Sequence, residues 1–353
     1  MKLEPIEFSF LSIFTLVTFF IFLIISKYSY KINNGALLDK DFSKPQAFHR
    51  NAISRSGGIA GIICLNFFFL IYFLLYSKIL YEYIFISNLM FIIGFLDDIK
   101  IKVSPSKRLL LMITFLFCVI HFLPVEIFNV DIPFLANFLQ IDFFSSIFVL
   151  LCFLFIINGA NLIDGFNGLL TINLIIINTI FLYINVSSGN NEFLIFLIAQ
   201  IIILLSFLLF NFPNAKIFLG DSGSYLMGSL VALNAIITNN LNPNYSSFFF
   251  CTLLFYLFFE VFFSFLRKVI QKKSPVHPDD KHLHMLLYGH VFLMLGKDKG
   301  NYVTTIIINL VYSSLILPAL IFAKNPVISR YWFFSLIVIY LFIYLRLYRL
   351  TKN

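Results

Sequence analysis

Charged side chains are scarce in this sequence: they make up 12% of its 353 residues, whereas apolar residues make up 60%. Soluble domains contain roughly a quarter charged residues, so this composition excludes an ordinary soluble protein. Cysteine is rare too, and Cys64, Cys118, Cys152 and Cys251 all lie within apolar runs. Free cysteines there behave as small hydrophobic residues, so neither a disulfide framework nor a zinc knuckle is indicated. The chain is predicted to be embedded in a lipid bilayer.

The amino terminus lacks the basic start and short apolar core of a cleavable signal. Glu4 and Glu7 precede an apolar run from Phe8 to Ile25, which predicts a retained first span. Crossing the hydrocarbon takes about 20 helical residues. Runs of this kind predict a single all-α integral-membrane domain over residues 1–353, with about eleven spans. The predicted spans are 8–26, 57–76, 79–96, 109–123, 143–158, 169–186, 193–210, 222–237, 247–265, 303–323 and 331–345.

Basic residues are distributed unevenly between the two sets of loops. One set holds 21 of the 25 Lys and Arg residues, so the positive-inside rule makes it cytoplasmic and places the amino terminus outside and the carboxyl terminus inside. This placement explains the net charge of +8 without nucleic acid as a partner. The cytoplasmic loops lie near 27–56, 97–108, 158–168, 211–221 and 266–302.

Acidic residues also gather on the cytoplasmic side, interleaved with these cations. This arrangement predicts a polar site at the mouth of the helix bundle. Nine aspartates belong to the group: Asp39, Asp41, Asp97, Asp98, Asp164, Asp221, Asp279, Asp280 and Asp298.

In two cytoplasmic segments, basic residues lie near a pair of glycines or a pair of aspartates. His49 and Arg55 precede Gly57–Gly58 at a predicted helix start, which favours anions. A basic loop with a tight packing contact is the alternative. Asp97–Asp98 end the third span, before Lys107–Arg108. Adjacent carboxylates hold a cation or raise one pKa toward that of a general base, unless the pair is simply solvated.

A third segment places three polar side chains at the end of the fifth span. Asn158, Asn161 and Asp164 recur every three residues, so they share one slowly turning helix flank. Such residues are costly in lipid and should face the protein interior. Glycines in 165–168 then bend the chain into a pocket wall. Helix capping explains one Asn and one Gly of this string, but not all of it.

A fourth segment, 211–224, places Asp221 among small residues at a helix start, where its carboxylate is free to face a divalent metal. Lys216 is suited to a phosphate and Phe218 to a base. A capping role is the alternative, but it explains only Asp221 and Ser222 and not Lys216 or the glycines.

The fifth segment, 274–284, contains half of the six histidines. His282 and His284 lack further ligands at a zinc-like spacing, so with Asp279 and Lys281 they favour a diphosphate clamp over zinc. A surface loop is the alternative.

Together these segments resemble the polyprenyl-phosphate N-acetylhexosamine-1-phosphate transferase family. It includes the enzymes that begin O-antigen, enterobacterial common antigen and teichoic acid linkage synthesis, and the phospho-MurNAc-pentapeptide translocase. The resemblance runs from about His49 to His284. Its most specific strings are Asn158-x-x-Asn161-x-x-Asp164-Gly165, Phe218-x-Gly220-Asp221-x-Gly223-Ser224 and Asp97-Asp98.

The resemblance implies transfer of N-acetylhexosamine-1-phosphate from a UDP-sugar, by default UDP-GlcNAc, to undecaprenyl phosphate, with release of UMP. It implies Mg²⁺ or Mn²⁺ as cofactor, an active site on the cytoplasmic face of a bacterial inner membrane, and a role in starting a cell-surface polysaccharide. It also allows for a homodimer. Whether transfer takes one step or two stays open.

Site residues carried over by the resemblance fall into three groups. Asp221 is assigned to the metal, and Asp97, Asp98 and Asp164 to catalysis. The residues assigned to substrate binding are His49, Arg55, Lys107, Arg108, Asn158, Asn161, Gly165, Phe166, Asn167, Lys216, Phe218, Asp279, His282 and His284.

Three departures from the family pattern bear on the substrate. Asn167 replaces an Asp of many relatives, which leaves an amide able to pair with uracil. Met285 stands where many relatives have a His. The His282-Leu283-His284-Met285 string also lacks the consecutive histidines of the muramyl-pentapeptide branch, which argues for a simpler N-acetylated sugar. Phospho-MurNAc-pentapeptide transfer remains the alternative within the family.

A transporter or lipid flippase is the rival class. Transporters place ionisable residues near the bilayer midplane and often contain inverted repeats. Here the acids lie at one membrane end, no repeat is found, and only Glu260 falls near the middle of a span.

Overall fold

The computed structural model describes residues 5–40, 52–101, 103–123, 125–189, 191–274 and 279–351. His49 lies outside these residues, as does most of the loop before Gly57. The described chain is almost entirely helical, which confirms the predicted polytopic helical class. Its helices are α1 (Pro5–Tyr28), α2 (Gly57–Tyr76), α3 (Tyr81–Asp98), α4 (Pro105–Phe122), α5 (Pro133–Leu139), α6 (Asp142–Ile163), α7 (Leu169–Ser188), α8 (Asn191–Asn211), α9 (Gly220–Leu241), α10 (Ser247–Leu253), α11 (Phe255–Ile270), α12 (Leu283–Ala319) and α13 (Pro326–Leu350).

Helix starts follow local sequence signals. Ser104 caps α4 by accepting a hydrogen bond from the Lys107 N–H, and Pro105 occupies the first helical turn. Asn325 caps α13 in the same way, with Pro326 after it. These caps satisfy N–H groups that have no partner within the helix.

Helices occupy all eleven predicted span positions. By length and composition, eight helices of the described chain are apolar enough to cross a membrane, or up to nine if the bent pair α10–α11 is one span. The predicted third and eighth spans, α3 and α9, are not among the eight. Both carry acidic residues, and α9 is rich in Ser, Gly and Asn as well.

Helix α9 is polar because the protein surrounds it. Of its 22 residues, 18 are buried. It packs against α2, α3, α6 and α7, and a membrane helix that is enclosed in this way does not need lipid-compatible side chains. Gly94 of α3 permits a close approach of the α9 backbone, since a Cβ there would lie 2.5 Å from the Asp221 carbonyl carbon and the Ser222 Cα.

Three irregular features were not predicted. The short helix α5 stands between α4 and α6, and α10 and α11 meet at an angle of 76°. Gly296 breaks α12 with φ 75° and ψ 179°. The predicted loop 266–302 is therefore partly helical, because α11 ends at Ile270 and α12 begins at Leu283.

One small sheet precedes α2. Strand β1 (Leu38–Asp39) pairs antiparallel with β2 (Ile53–Ser54), and Ser54 forms a parallel bridge with Ile217. The backbone N–H of Phe218 donates to the Ser54 carbonyl at 2.8 Å, and the Gly57 N–H donates to the Phe218 carbonyl at 2.9 Å. Two segments more than 150 residues apart are thus joined just before α9.

Candidate active site

The end of α3 is clamped to the start of α9. The Asp98 carboxylate accepts hydrogen bonds from the N–H groups of Asp221 (3.0 Å) and Ser222 (2.9 Å), and from the Ser222 hydroxyl (2.5 Å). A carboxylate at a helix amino terminus is favoured by the helix dipole. Gly220 has φ +78°, and a Cβ there would lie 2.6 Å from an Asp98 oxygen. A glycine is therefore required beside this clamp.

Arg108 bridges two of the predicted acids. Its Nη1 lies 2.6 Å from Asp221 Oδ2 and 3.1 Å from Asp97 Oδ1. The Asp97 and Asp221 side chains keep 31% and 21% of their surface exposed, whereas Asp98 is buried. Asp97 and Asp221 are thus the acids of this group that a substrate can reach.

Arg55 lies on the opposite side of the same acids. Its Nη2 and Nε donate to Asp39 Oδ2 at 2.7 and 3.1 Å, while Nη1 lies 3.7 Å from Asp98 and 3.9 Å from Asp221. Burial lowers the pKa of Arg55, but the three carboxylates outweigh burial and raise it, so the guanidinium stays charged. Beside Arg55 is a cavity of about 470 Å³. Its lining residues are Leu37, Leu38, Asp39, Lys40, Arg55, Asp98 and Lys100.

Asp164 caps the carboxyl terminus of α6 and belongs to the same electrostatic group. Burial raises its pKa well above the usual value, and the negative charges of Asp221 and Asp98 raise it further, against the opposing effect of Arg55. Asn161, one turn earlier, donates to the Ser224 Oγ of α9 at 3.1 Å. Asn158 instead donates to the Leu154 carbonyl of its own helix. A hydrogen bond therefore joins Asn161 to the start of α9, and Asp164 interacts electrostatically with Asp221 there, whereas the described side-chain hydrogen bond of Asn158 stays within α6.

Side chains that the sequence analysis did not single out fix the loop after Asp164. The Asn167 N–H donates to Asn301 Oδ1 at 2.9 Å, and the Asn167 amide donates to the Pro213 carbonyl at 2.8 Å. Asn211 accepts from the Gly168 N–H at 2.6 Å and donates to the Ile217 carbonyl. The signal available for Asn211 was its position at the end of the apolar helix α8, whereas Asn301 follows the polar run Lys297–Gly300 and carried no such signal.

The remaining predicted nucleotide contacts differ in accessibility. Lys107 and Lys216 are exposed and Phe218 is half-buried. Phe166 is buried, and its ring meets the edges of His284 and Tyr288 at centroid distances of 5.5 and 5.3 Å. Their contacts to a substrate stay predictions.

The predicted diphosphate clamp is held together by internal ion pairs. Arg267 donates to Asp279 at 2.8 and 3.1 Å, and His282 lies between Asp279 and Glu260. Partial burial opposes ionisation of Asp279, but the hydrogen bonds from Arg267 hold the pKa of its carboxyl below the usual value. His284 is fully buried, and its Nδ1 lies 3.3 Å from the Tyr256 hydroxyl.

Carboxylate oxygens are the ligands that Mg²⁺ prefers, and Mg²⁺ is often held by one or two carboxylates together with substrate phosphates. Among the described residues, no three Asp, Glu, His or Cys side chains are placed to hold a metal together. Asp221 and Asp97 nevertheless supply two oxygen ligands around Arg108. Four carboxylates, those of Asp39, Asp97, Asp98 and Asp221, lie within 3.9 Å of only two guanidinium groups, and this excess of oxygen ligands suits a divalent cation.

An acidic cleft with embedded arginines, at one end of a mostly apolar helical bundle, defines a polytopic membrane protein with an enzyme-like site. The family model for glycosyl transferase family 4 matches residues 80–239, a segment that contains all four aspartates. This match covers just under half of the chain, and together with the relatives described below it makes the chain similar to the polyprenyl-phosphate N-acetylhexosamine-1-phosphate transferases. The resemblance inferred from the motifs is confirmed, and the chain is an enzyme of the phosphotransferase type.

Curated relatives fall in two branches of this family. An undecaprenyl-phosphate alpha-N-acetylglucosaminyl 1-phosphate transferase of Thermotoga maritima is 27% identical over 281 residues, covering 78% of this chain and 79% of the relative. A phospho-N-acetylmuramoyl-pentapeptide-transferase of Clostridium perfringens is 35% identical over 153 residues, covering 41% of this chain and 48% of the relative. Another, from Petrotoga mobilis, is 28% identical over 286 residues, covering 74% and 87%.

Proposed function

We propose that this enzyme transfers N-acetylhexosamine-1-phosphate from a UDP-sugar to undecaprenyl phosphate and releases UMP. The observation that carries this proposal is the convergence of four aspartates and two arginines from four separate segments at one end of the bundle. A water-soluble nucleotide sugar and a lipid phosphate meet only where protein, water and membrane adjoin. We place this end at the cytoplasmic face of a bacterial inner membrane, as the basic loops indicate.

Phosphoryl transfer depends mainly on alignment and on neutralisation of charge. In the proposed reaction an oxygen of the lipid phosphate forms a bond to the β-phosphorus. The bond from that phosphorus to the bridging oxygen breaks, and UMP leaves with the electron pair. Arg55 and Arg108 are the partly buried cations that would face the diphosphate.

Asp97 is better placed than Asp98 to act on the attacking phosphate. The oxygens of Asp98 are already engaged by three hydrogen bonds from the start of α9. A phosphate monoester has a second pKa near about 6, so little deprotonation is needed at neutral pH. Asp98 is thus proposed to position Asp221, and Asp97 to orient the lipid phosphate.

We further propose Mg²⁺ or Mn²⁺ as the cofactor. Asp221 and Asp97 would hold the ion, and bound there it would supply positive charge against the diphosphate. Arg108 would neutralise these acids when the substrate is absent and pair with phosphate oxygens when it is present.

An N-acetylglucosamine donor is the default substrate, because the Thermotoga maritima relative aligns with most of both chains and carries that activity in its name. Phospho-MurNAc-pentapeptide transfer is the second candidate, favoured by the 35% identity to the Clostridium perfringens relative over a shorter segment. The homodimer stays a prediction.

Turnover of defined UDP-sugars by purified protein tests the proposal. Protein, Mg²⁺ and undecaprenyl phosphate are supplied with UDP-GlcNAc, other UDP-N-acetylated sugars or UDP-MurNAc-pentapeptide; UMP is measured, and the lipid product is identified by mass spectrometry. We expect UMP release with a simple N-acetylated sugar and no ion gradient. Asp221→Ala should abolish it, whereas Glu192→Gln should not, since Glu192 pairs with Lys78 on an exposed surface. No UMP from any donor would refute the function, and normal turnover by Asp221→Ala would remove Asp221 from the mechanism.

A further inference from the structure

Glu260 is a buried carboxylate in the apolar first part of α11, before Arg267 and Lys268 in its last turn. It lies in α11, and only 1% of its surface is exposed. Ionisable residues in such helices are costly and persist where they pair with other groups and serve the site. The aspartate cleft described above does not include Glu260.

The partners of Glu260 lie at the start of α12. Its Oε1 accepts from the Leu283 N–H at 3.1 Å, and its Oε2 lies 3.3 Å from His282 Nδ1. His282 is the residue that precedes the first turn of α12, where unpaired N–H groups favour a negative charge. One carboxylate therefore holds both the backbone and the side chain at this helix start.

His282 is enclosed by a second carboxylate. Its Nε2 lies 3.4 Å from Asp279 Oδ1, and Asp279 is fixed in turn by two hydrogen bonds from Arg267. Both imidazole nitrogens of His282 therefore face carboxylates. Neither nitrogen of His282 is then left for a substrate.

His284 is connected to this arrangement through its ring. The two imidazoles are parallel, with planes 5° apart and centroids separated by 5.6 Å. The other side of His284 meets Phe166, two residues after Asp164, at 5.5 Å. Among the described residues, His284 Nε2 is buried and has no hydrogen-bond partner. Leaving a buried polar atom of this kind without a partner is unfavourable, so a partner is expected in the working enzyme.

We propose that Glu260 is a positioning residue that fixes His282 and the start of α12, so that His284 is held against Phe166 in the loop after Asp164. This inference rests on the proposed function and gives different roles to the two histidines, His282 and His284. His282 is a support for the site, and His284 Nε2 is the imidazole nitrogen presented to the UDP-sugar. Asp279 and Arg267 complete the support.

A double-mutant cycle on KM tests this chain of contacts. Glu260→Gln keeps the shape of the side chain but removes its charge, and His282→Gln removes the imidazole. We expect each variant to raise the KM for the UDP-sugar at least tenfold, with kcat and the KM for undecaprenyl phosphate changed less than threefold. The double variant should be no worse than His282→Gln alone, because both act through one contact. Independent, multiplying effects, or an unchanged KM in Glu260→Gln, would overturn the proposal.

Tyr312→Phe is the control for a purely structural effect. It removes a buried hydrogen bond from Tyr312 to the Leu253 carbonyl, elsewhere on α12. It should lower the unfolding temperature without changing KM. If Tyr312→Phe raised the KM as much as Glu260→Gln does, at a similar loss of stability, Glu260 would serve folding alone.

Nitrogen NMR of histidine-labelled protein gives a readout that does not depend on turnover. The signature is the chemical shift of His282 Nδ1, which we expect to change in Glu260→Gln because that nitrogen lies 3.3 Å from the Glu260 carboxylate. If no UDP-sugar reacted but the signature behaved as described, the proposed function would fail and the contact between Glu260 and His282 would stand. An unchanged signature in Glu260→Gln would refute the contact.

Discussion

Adding one methyl group at Gly94 should separate the two helices that form the acidic cleft. An alanine Cβ there would lie 2.5 Å from the Asp221 carbonyl carbon and the Ser222 Cα. Carbon atoms prefer about 3.5–4.0 Å, so α3 and α9 would have to part by about 1 Å. Backbone atoms at the start of a helix cannot turn aside as a flexible side chain can.

This displacement acts on the Asp98 clamp. Its bonds to the Asp221 and Ser222 N–H groups, now 3.0 and 2.9 Å, would lengthen to about 4 Å and be lost. Hydrogen bonds to a charged group contribute about 1.5–3 kcal/mol each, and an alanine in a helix recovers about 0.5–1 kcal/mol relative to glycine. The net loss for Gly94→Ala is therefore about 2–5 kcal/mol in the free energy of unfolding. Since Asp221 moves with the helix, UMP release should fall more than tenfold.

The measurement is the thermal midpoint of the monodisperse protein in detergent, together with UMP release at a temperature where both proteins are folded. We expect the midpoint to fall by on the order of 5 °C. Gly289→Ala is the matched control, because Gly289 is also helical and its added Cβ would meet nothing within 4 Å. That variant should be as stable as the wild type, or more so, and fully active. Equal behaviour of the two variants would refute the close-contact argument.

Two further substitutions test other parts of the cleft. Phe218→Ala should raise the KM for the UDP-sugar about tenfold with kcat little changed, since stacking of a base on an aromatic ring contributes about 1–3 kcal/mol. The control Phe128→Ala, at an exposed position, should leave the KM unchanged. An unchanged KM in both variants would exclude stacking on Phe218. Asn211→Ala should lower the free energy of unfolding by about 2–4 kcal/mol, because it leaves the Gly168 N–H and the Ile217 carbonyl without this partner. Asn214→Ala, at an exposed position three residues on, should change little, and a similar midpoint for both variants in thermal unfolding would contradict the role given to Asn211.

Apolar runs predicted the helices well because lipid and protein interiors both require continuous hydrophobic segments. They did not predict the 76° bend between α10 and α11 or the break at Gly296. Such breaks depend on what packs beside a helix, and a hydropathy pattern does not contain that information. Helix α5 was missed for a simpler reason: seven residues are too few to give a periodic signal.

For the site, the motif strings predicted that Asp97, Asp98, Asp164 and Asp221 meet. Arg55 and Arg108 connect Asp97 and Asp98 to Asp221, and Asp164 interacts electrostatically with this group, while the roles given to the four stay predictions. The strings did not predict what holds them. Asp98 was expected in catalysis, yet its described contacts all serve the start of α9 and Arg55. Partners that act across long sequence separations are not evident from spacing alone.

Partners of this kind recur around the cleft, and each stands alone in its own stretch of sequence. Asn301 contacts Asn167 from 134 residues away, and Glu260 of α11 contacts His282, which directly precedes α12. Asp39 was grouped with the acids of the site, but its contact with Arg55 became evident only in the structure.

Because α9 is enclosed by other helices, it faces a difficulty during synthesis. Because α9 contains so many Ser, Gly and Asn residues, its transfer from the insertion machinery into lipid by itself is accompanied by little favourable free energy. Its neighbours α2, α3, α6 and α7 all emerge from the ribosome earlier, so a partly assembled ring can receive it. Substitutions on the α9-facing sides of those helices should therefore reduce the yield of inserted protein even where they leave the chemistry untouched.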